Sequence, residues 1–181
     1  ESVVVFGAGG IGLNIIQAAA LMSAGPIIAV DRFDSRLKLA EQIGATHCIN
    51  SRTSNPQKAI QQALNGQKLN VFIDNTGLPA INERGYTLSD HQGGVALVGG
   101  ARQCDTVNLN SFPLHFGKLL VGSHGGESKP EHDIPRYLRL QQQGKLQLQQ
   151  LVSTHYSLQE INKAIRSMRD GDTAGRVMIR F

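Results

Sequence analysis

Apolar residues in this chain fall into short unbroken runs, separated by stretches where they recur every three or four positions. Val3 to Phe6 and Ile27 to Val30 are runs of the first kind, too apolar to lie half exposed, and they predict strands buried on both faces. Between them, Ile11, Ile15, Ala19 and Met22 line one face of a helix over 11–24, stopped at Gly25-Pro26. Strand, helix and strand within about 30 residues is the length of a right-handed parallel crossover. The alternation continues with Ser35 as the cap of a helix carrying Leu37, Ala40 and Ile43, a short strand at HCIN (47–50), and a helix opened by Asn55-Pro56 and closed near Gly66. Further strands are predicted at 71–74, 94–99 and 118–122, with helices over 79–89 and 131–143. The expected fold is therefore α/β, an open, mostly parallel, doubly wound sheet of six strands with helices on both faces.

The rhythm changes at Leu151. SLQE (157–160) reads as a capping box, Ile161, Ala164, Ile165 and Met168 form the apolar face of the helix that follows, and RVMIRF supplies a last strand. The expected division is a main domain over 1–150 and a C-terminal segment over 151–181, packed on the remaining sheet or loosely held.

Composition narrows the chemistry. In 181 residues, 18 Lys and Arg stand against 14 Asp and Glu, scattered without a basic stripe, so a nucleic-acid partner is not expected. No apolar run is long enough to cross a bilayer, and the first residues lack the order of a signal peptide. Cys48 and Cys104 are too far apart for a metal knuckle and too few for a disulfide framework, which points to a reduced, cytoplasmic compartment. Six histidines (47, 91, 115, 124, 132 and 155) show no zinc-ligand spacing, so no metal ligand is assigned. A strand only two residues after Glu1, with no initiating methionine, suggests a piece of a longer protein.

The candidate chemistry lies in Gly7-Ala8-Gly9-Gly10-Ile11-Gly12, a G-x-G-x-x-G match between a strand and a helix. Gly7 permits the tight turn, Gly9 leaves room for a pyrophosphate against the backbone, and Gly12 allows close helix packing. The helix start at Gly10 and Ile11 would aim free amides at that anion. Asp31, 19 residues after Gly12, can accept hydrogen bonds from both ribose hydroxyls and repel a 2′-phosphate, which favours NAD over NADP. Arg32 and Arg36 pull the other way, since nearby arginines tolerate that phosphate, and Arg36 fits a solvated helix face equally well. Asp31 also has a plain reading as an acid at a helix N-terminus.

With those residues placed, the chain resembles the cofactor-binding half of the medium-chain dehydrogenase/reductase family, the zinc-dependent alcohol and polyol dehydrogenases. VVVFGAGGIG, IIAVDRFDSRLKLAEQIGATHCIN, FIDNTG, VALVGG, LLVGSHGG and GRVMIRF follow the family's order across almost the whole chain. The resemblance implies a Rossmann-type fold whose C-terminal helix and strand return to a catalytic domain. It implies that Val98, Gly99 and Gly100 face the nicotinamide, and that Ser123 and His124 complete its carboxamide pocket. Asn75 and Thr76 would lie along the riboses, and Arg176 would reach the pyrophosphate, with a solvated charge as the competing reading. It also implies zinc ligands in an N-terminal half that nothing here matches, an alcohol or carbonyl substrate, and a homodimer joined near Asp105 to Ser123. Without Lewis acid and proton relay the chain alone is expected to be inactive. A zinc-free quinone or enoyl reductase, a non-catalytic NAD-sensing module and an S-adenosylmethionine-dependent methyltransferase remain as rivals.

Overall fold

The computed structural model describes every residue from Glu1 to Phe181. Six parallel strands form one sheet in the order β3-β2-β1-β4-β5-β6: β1 Val3–Phe6, β2 Ile27–Asp31, β3 His47–Asn50, β4 Val71–Asp74, β5 Gly94–Leu97 and β6 Leu119–Gly122. The crossovers carry α1 Gly10–Leu21, α2 Asp34–Gln42, α3 Pro56–Leu64, α4 Pro79–Leu88 and, after β6, α5 Pro130–Gln142. This is the doubly wound arrangement that the alternation predicts, and the order reverses beside β1, between β1 and β4.

Period-two alternation splits each central strand between two cores. Val3, Val5, Ile27 and Ala29 pack with Leu13, Ile16, Leu37 and Ala40 from α1 and α2. Val4, Phe6, Ile28 and Val30 pack on the other face with Ile60, Leu64, Phe72 and Tyr86. Both faces are thus apolar, and the runs read as continuous for that reason. The outer strands differ: β6 has no buried residue, its Leu119 and Val121 are exposed, and α5 buries nothing either.

Several boundaries move for local reasons. α1 ends at Leu21, and Ser23 takes a positive φ before Gly25-Pro26 is reached. Phe33, not Ser35, is the cap residue of α2, which places Ser35 inside the first turn. Asn55 caps α3 as expected, its side chain accepting from the amides of Gln57 and Lys58.

The C-terminal segment is more ordered than the sequence suggests. β7 Val152–Ser157, which the apolar pattern misses because its side chains alternate with Ser, Thr and His, pairs in parallel with β8 Arg176–Arg180 across α6 Ile161–Asp170. These two strands form their own sheet and do not extend the main one. Leu151 anchors the unit in the core shared with α1 and α2. At its turn the Glu160 carboxylate accepts from both the amide and the hydroxyl of Ser157.

Those bonds from Ser157 hold the Glu160 carboxyl below the usual glutamate range. A lowered folded pKa means the cap is complete above glutamate's ordinary pKa and is lost as the pH falls through the lowered one. Amide exchange in the first turn of α6, corrected for intrinsic pH dependence, should accelerate several-fold on acidification through that range. Glu160→Ala should show the fast rate already at neutral pH.

Candidate dinucleotide site

The carboxyl ends of β1, β2 and β4 open into a cavity of about 680 Å³, lined among others by Gly7, Gly9, Asp31, Arg36, Asn75 and Thr76. Its position follows from topology. The crossover from β1 through α1 and that from β4 through α4 run to opposite faces of the sheet and part between these two strands, which is where open α/β sheets bind ligands.

Each wall has a local cause. Gly7 turns out of β1 with φ +98°, and its amide donates to the Val30 carbonyl at 2.8 Å, so the turn is tied to β2. A methyl group at Gly12 would run into the Gly7 carbonyl, which is how α1 comes so close to the strand end. Gly9 is the opposite case, since a Cβ there meets nothing within 4 Å and points into open space. Asp31 is buried and binds inward: Oδ2 accepts from the Ala8 amide at 2.8 Å, and Oδ1 from the amides of Arg32 at 2.7 Å and Phe33 at 3.1 Å. Arg36 Nη1 lies 3.7 Å from Oδ2.

Across the cavity Asp74 ends β4 fully buried, a residue the sequence reading passed over as part of a strand. Its Oδ1 accepts from the Thr76 amide at 2.9 Å and the Thr76 hydroxyl at 2.6 Å, and its Oδ2 from the Gly77 amide at 2.9 Å. The loop that carries Asn75 and Thr76 is therefore built around this carboxylate. Asn75 Nδ2 reaches back to the Gly7 carbonyl at 3.3 Å. The same loop abuts the end of β5, since a Cβ on Gly99 would strike the Thr76 and Gly77 amides.

The expected residues thus divide into groups. Gly7, Gly9, Asp31, Arg32, Arg36, Asn75 and Thr76 share the cavity. Gly10, Ile11 and Gly12 begin α1 at its rim, and the Arg176 side chain lies over Gly10, 2.5 Å from where a Cβ would sit. Val98, Gly99 and Gly100 follow β5, while Ser123 and His124 follow β6; none of these five lines the cavity. They continue the same edge of the sheet, with Val98 and Gly99 donating to the Asp74 carbonyl at 2.8 and 3.0 Å and Ser123 to the Leu97 carbonyl at 2.9 Å. The cavity also gains Phe33, Arg84 and Arg169, which no motif marks. Arg169 in particular lies 138 positions beyond Asp31 and arrives only through the C-terminal fold.

A profile of the family described as zinc-binding dehydrogenase matches residues 10–143, more than half of the chain. The chain belongs to the zinc-binding dehydrogenase family. Among curated relatives, the NDMA-dependent alcohol dehydrogenase of Amycolatopsis methanolica is 32% identical over 94% of the chain and 47% of that protein. An S-(hydroxymethyl)glutathione dehydrogenase of Synechocystis is 29% identical over 98% of the chain and 49% of its own length. Of solved structures, benzyl alcohol dehydrogenase from Acinetobacter calcoaceticus superposes with a TM-score of 0.88 at 39% identity, covering 99% of the chain and 49% of that protein. The chain spans about half the length of the curated relatives it matches.

Removing the Asp74 carboxylate tests how the site is built. Asp74→Ala strands the Gly77 amide in the interior and should cost about 2–4 kcal/mol in urea unfolding. Asp74→Asn, which keeps one acceptor, should cost less than half as much.

Proposed function

We propose that this chain is the NAD(H)-binding domain, over 1–150, of an alcohol dehydrogenase-type oxidoreductase, with residues 151–181 completing the catalytic domain of the parent protein. The observation that carries this is the pairing of an open Gly9 with a buried Asp31 across one cavity at the switch point of the sheet. Bare backbone at Gly9 gives a pyrophosphate room to approach the start of α1, where the unpaired amides and the helix dipole favour an anion. Three backbone donors already use Asp31, which leaves it able to accept from a ribose hydroxyl on the cavity side. Asn75 and Thr76 stand along the path from that ribose toward β5.

The residues present fit the cofactor. When bound, the nicotinamide accepts or donates the hydride, and the chain's part is to hold it in place. Val98, Gly99 and Gly100 would offer backbone to the ring, Ser123 and His124 to its carboxamide, and Arg176 would neutralise the diphosphate above Gly10. The zinc for which the family is named finds no cluster of three His, Cys, Asp or Glu side chains in this chain. Its ligands are assigned to the other half of the parent, together with the pocket for a small alcohol or carbonyl substrate. Family membership leaves the methyltransferase reading without support.

The same reading extends to assembly and compartment. β6 is an unpaired edge beside exposed Phe112, Leu114 and Phe116, a surface suited to edge-to-edge pairing in a homodimer. No helix is long and apolar enough to cross a membrane. Cys48 donates to the Leu37 carbonyl, and partial desolvation, aided by Glu41, pushes its thiol up to about 11, so it stays protonated at neutral pH. A reduced, cytoplasmic setting accords with this.

Gly9→Val separates folding from binding. Because nothing surrounds that position, the variant should unfold at the wild-type urea midpoint yet bind NADH at least about tenfold more weakly in a fluorescence titration. Wild type that failed to bind NADH at millimolar concentration would end this reading. Wild type given zinc, ethanol and NAD should show no reduction at 340 nm, and robust turnover would refute the assignment of the zinc ligands to the other half.

A further inference from the structure

Gln17 is the only polar side chain that α1 buries, and only one end of its amide is used. Its Oε1 accepts from the backbone amide of Gln147 at 2.7 Å, across 130 positions of sequence, whereas its Nε2 has no partner. An unpaired donor in the interior is unfavourable, and a methionine or leucine at this position would pack without one. The side chain is held there for a single acceptor, the one that fixes Gln147.

Gln147 lies in the connection from α5 to the C-terminal unit. Leu148 and Leu151 follow it onto the core shared with α1 and α2. Val152 then starts β7 and stands in register with Arg176 at the start of β8, five positions along the chain from the tethered amide. Gly175 lets the strands meet, since a Cβ there would run into the Leu151 carbonyl. The Arg176 side chain returns to α1, lying against Gly10 where a Cβ has no room. Gly10 and Gln17 are seven positions apart, two turns, and so share one face of α1. The C-terminal unit is thus fastened to that face at two points about 10 Å apart along the helix. Burial of Leu151 holds the unit to the core without choosing a direction, and the hydrogen bond to Gln17 supplies one.

We infer that Gln17 is a positioning residue for the bound dinucleotide: by holding Gln147 it sets where β7 and β8 stand along α1 and keeps the Arg176 guanidinium over the turn that receives the diphosphate. The inference rests on the dinucleotide reading above and deepens it. A separate contact, in which a Cβ on Gly171 would overlap the Phe33 ring, brings Arg169 to the cavity and does not pass through Gln17.

A double-mutant cycle on the full chain tests this, with NADH affinity read by fluorescence titration. Gln17→Met removes the acceptor together with the unpaired donor, so it should unfold near the wild-type urea midpoint and bind NADH about three- to tenfold more weakly. In an Arg176→Gln background, itself weaker than wild type, the same change should matter by less than about twofold, whereas in an Arg169→Gln background its full effect should persist. Gln17→Glu keeps an acceptor oxygen of the same reach and should restore affinity to within about threefold of wild type. Unchanged binding by Gln17→Met, equal weakening in all three backgrounds, full affinity in Arg176→Gln, or no rescue by Gln17→Glu would each overturn the inference. So would a Gln17→Met chain that unfolds at much lower urea, the mark of a purely structural residue. Wild type that did not bind NADH would instead overturn the reading on which the inference rests.

Discussion

The hydrogen bond from the Ala8 amide to the Asp31 carboxylate, 2.8 Å long and buried, ties the glycine turn of β1 to the end of β2. Everything at the site is placed relative to it. The turn cannot lift away without stranding a charged acceptor, and Asp31 cannot swing into the cavity without releasing Arg32 and Phe33 as well. Asp74 plays the matching part on β4, where its two oxygens organise Thr76 and Gly77. Two buried carboxylates, each engaged by backbone N–H groups, turn the ends of β2 and β4, the two strands that flank β1, into rigid walls. A parallel sheet makes this possible because all its carboxyl ends lie on one edge.

Rigidity of this kind bears directly on hydride transfer, which depends on positioning. A dinucleotide is long and flexible, and holding it extended along the edge of a sheet costs conformational entropy that preformed walls help to offset. On the proposed reading, the adenosine end meets a well-formed cavity, while the nicotinamide end meets only the backbone beyond β5 and β6. The two halves of the molecule mirror that difference. β1 and β2 are buried throughout, whereas β6 and α5 bury nothing.

The C-terminal unit is part of the site and more than an appendage. Arg176 at the start of β8 lies over Gly10, and Arg169 reaches the cavity beside Phe33. A segment that begins 120 residues after Asp31 therefore contributes one arginine to the cavity lining and one to its rim. On the proposed reading, ligand binding would be coupled to the placement of β7, α6 and β8, because the arginines that would meet phosphate are held by that unit's own fold.

The central strands β1 and β2 were legible in the sequence because burial on both faces demands unbroken apolar runs, and the intervening helices declare themselves by spacing and by Asn55-Pro56. The glycine turn and Asp31 were legible for the same kind of reason: backbone geometry and close approach leave few residue choices. β7 was not, because none of its six residues is buried and Ser153 and His155 face solvent. Nor was Asp74, whose role depends on which N–H groups the next turn brings to it. Arg84 and Arg169 show the limit most plainly, since an arginine in a polar helix face reads as solvated wherever it occurs. The sequence by itself determined the strands, their parallel crossovers and the glycine turn, all consequences of local pattern, while the strand order and its reversal beside β1 came with the tertiary structure. Only the tertiary structure decided which charges meet across the cavity, because that depends on how distant segments pack, here the ring of Phe33 against Gly171.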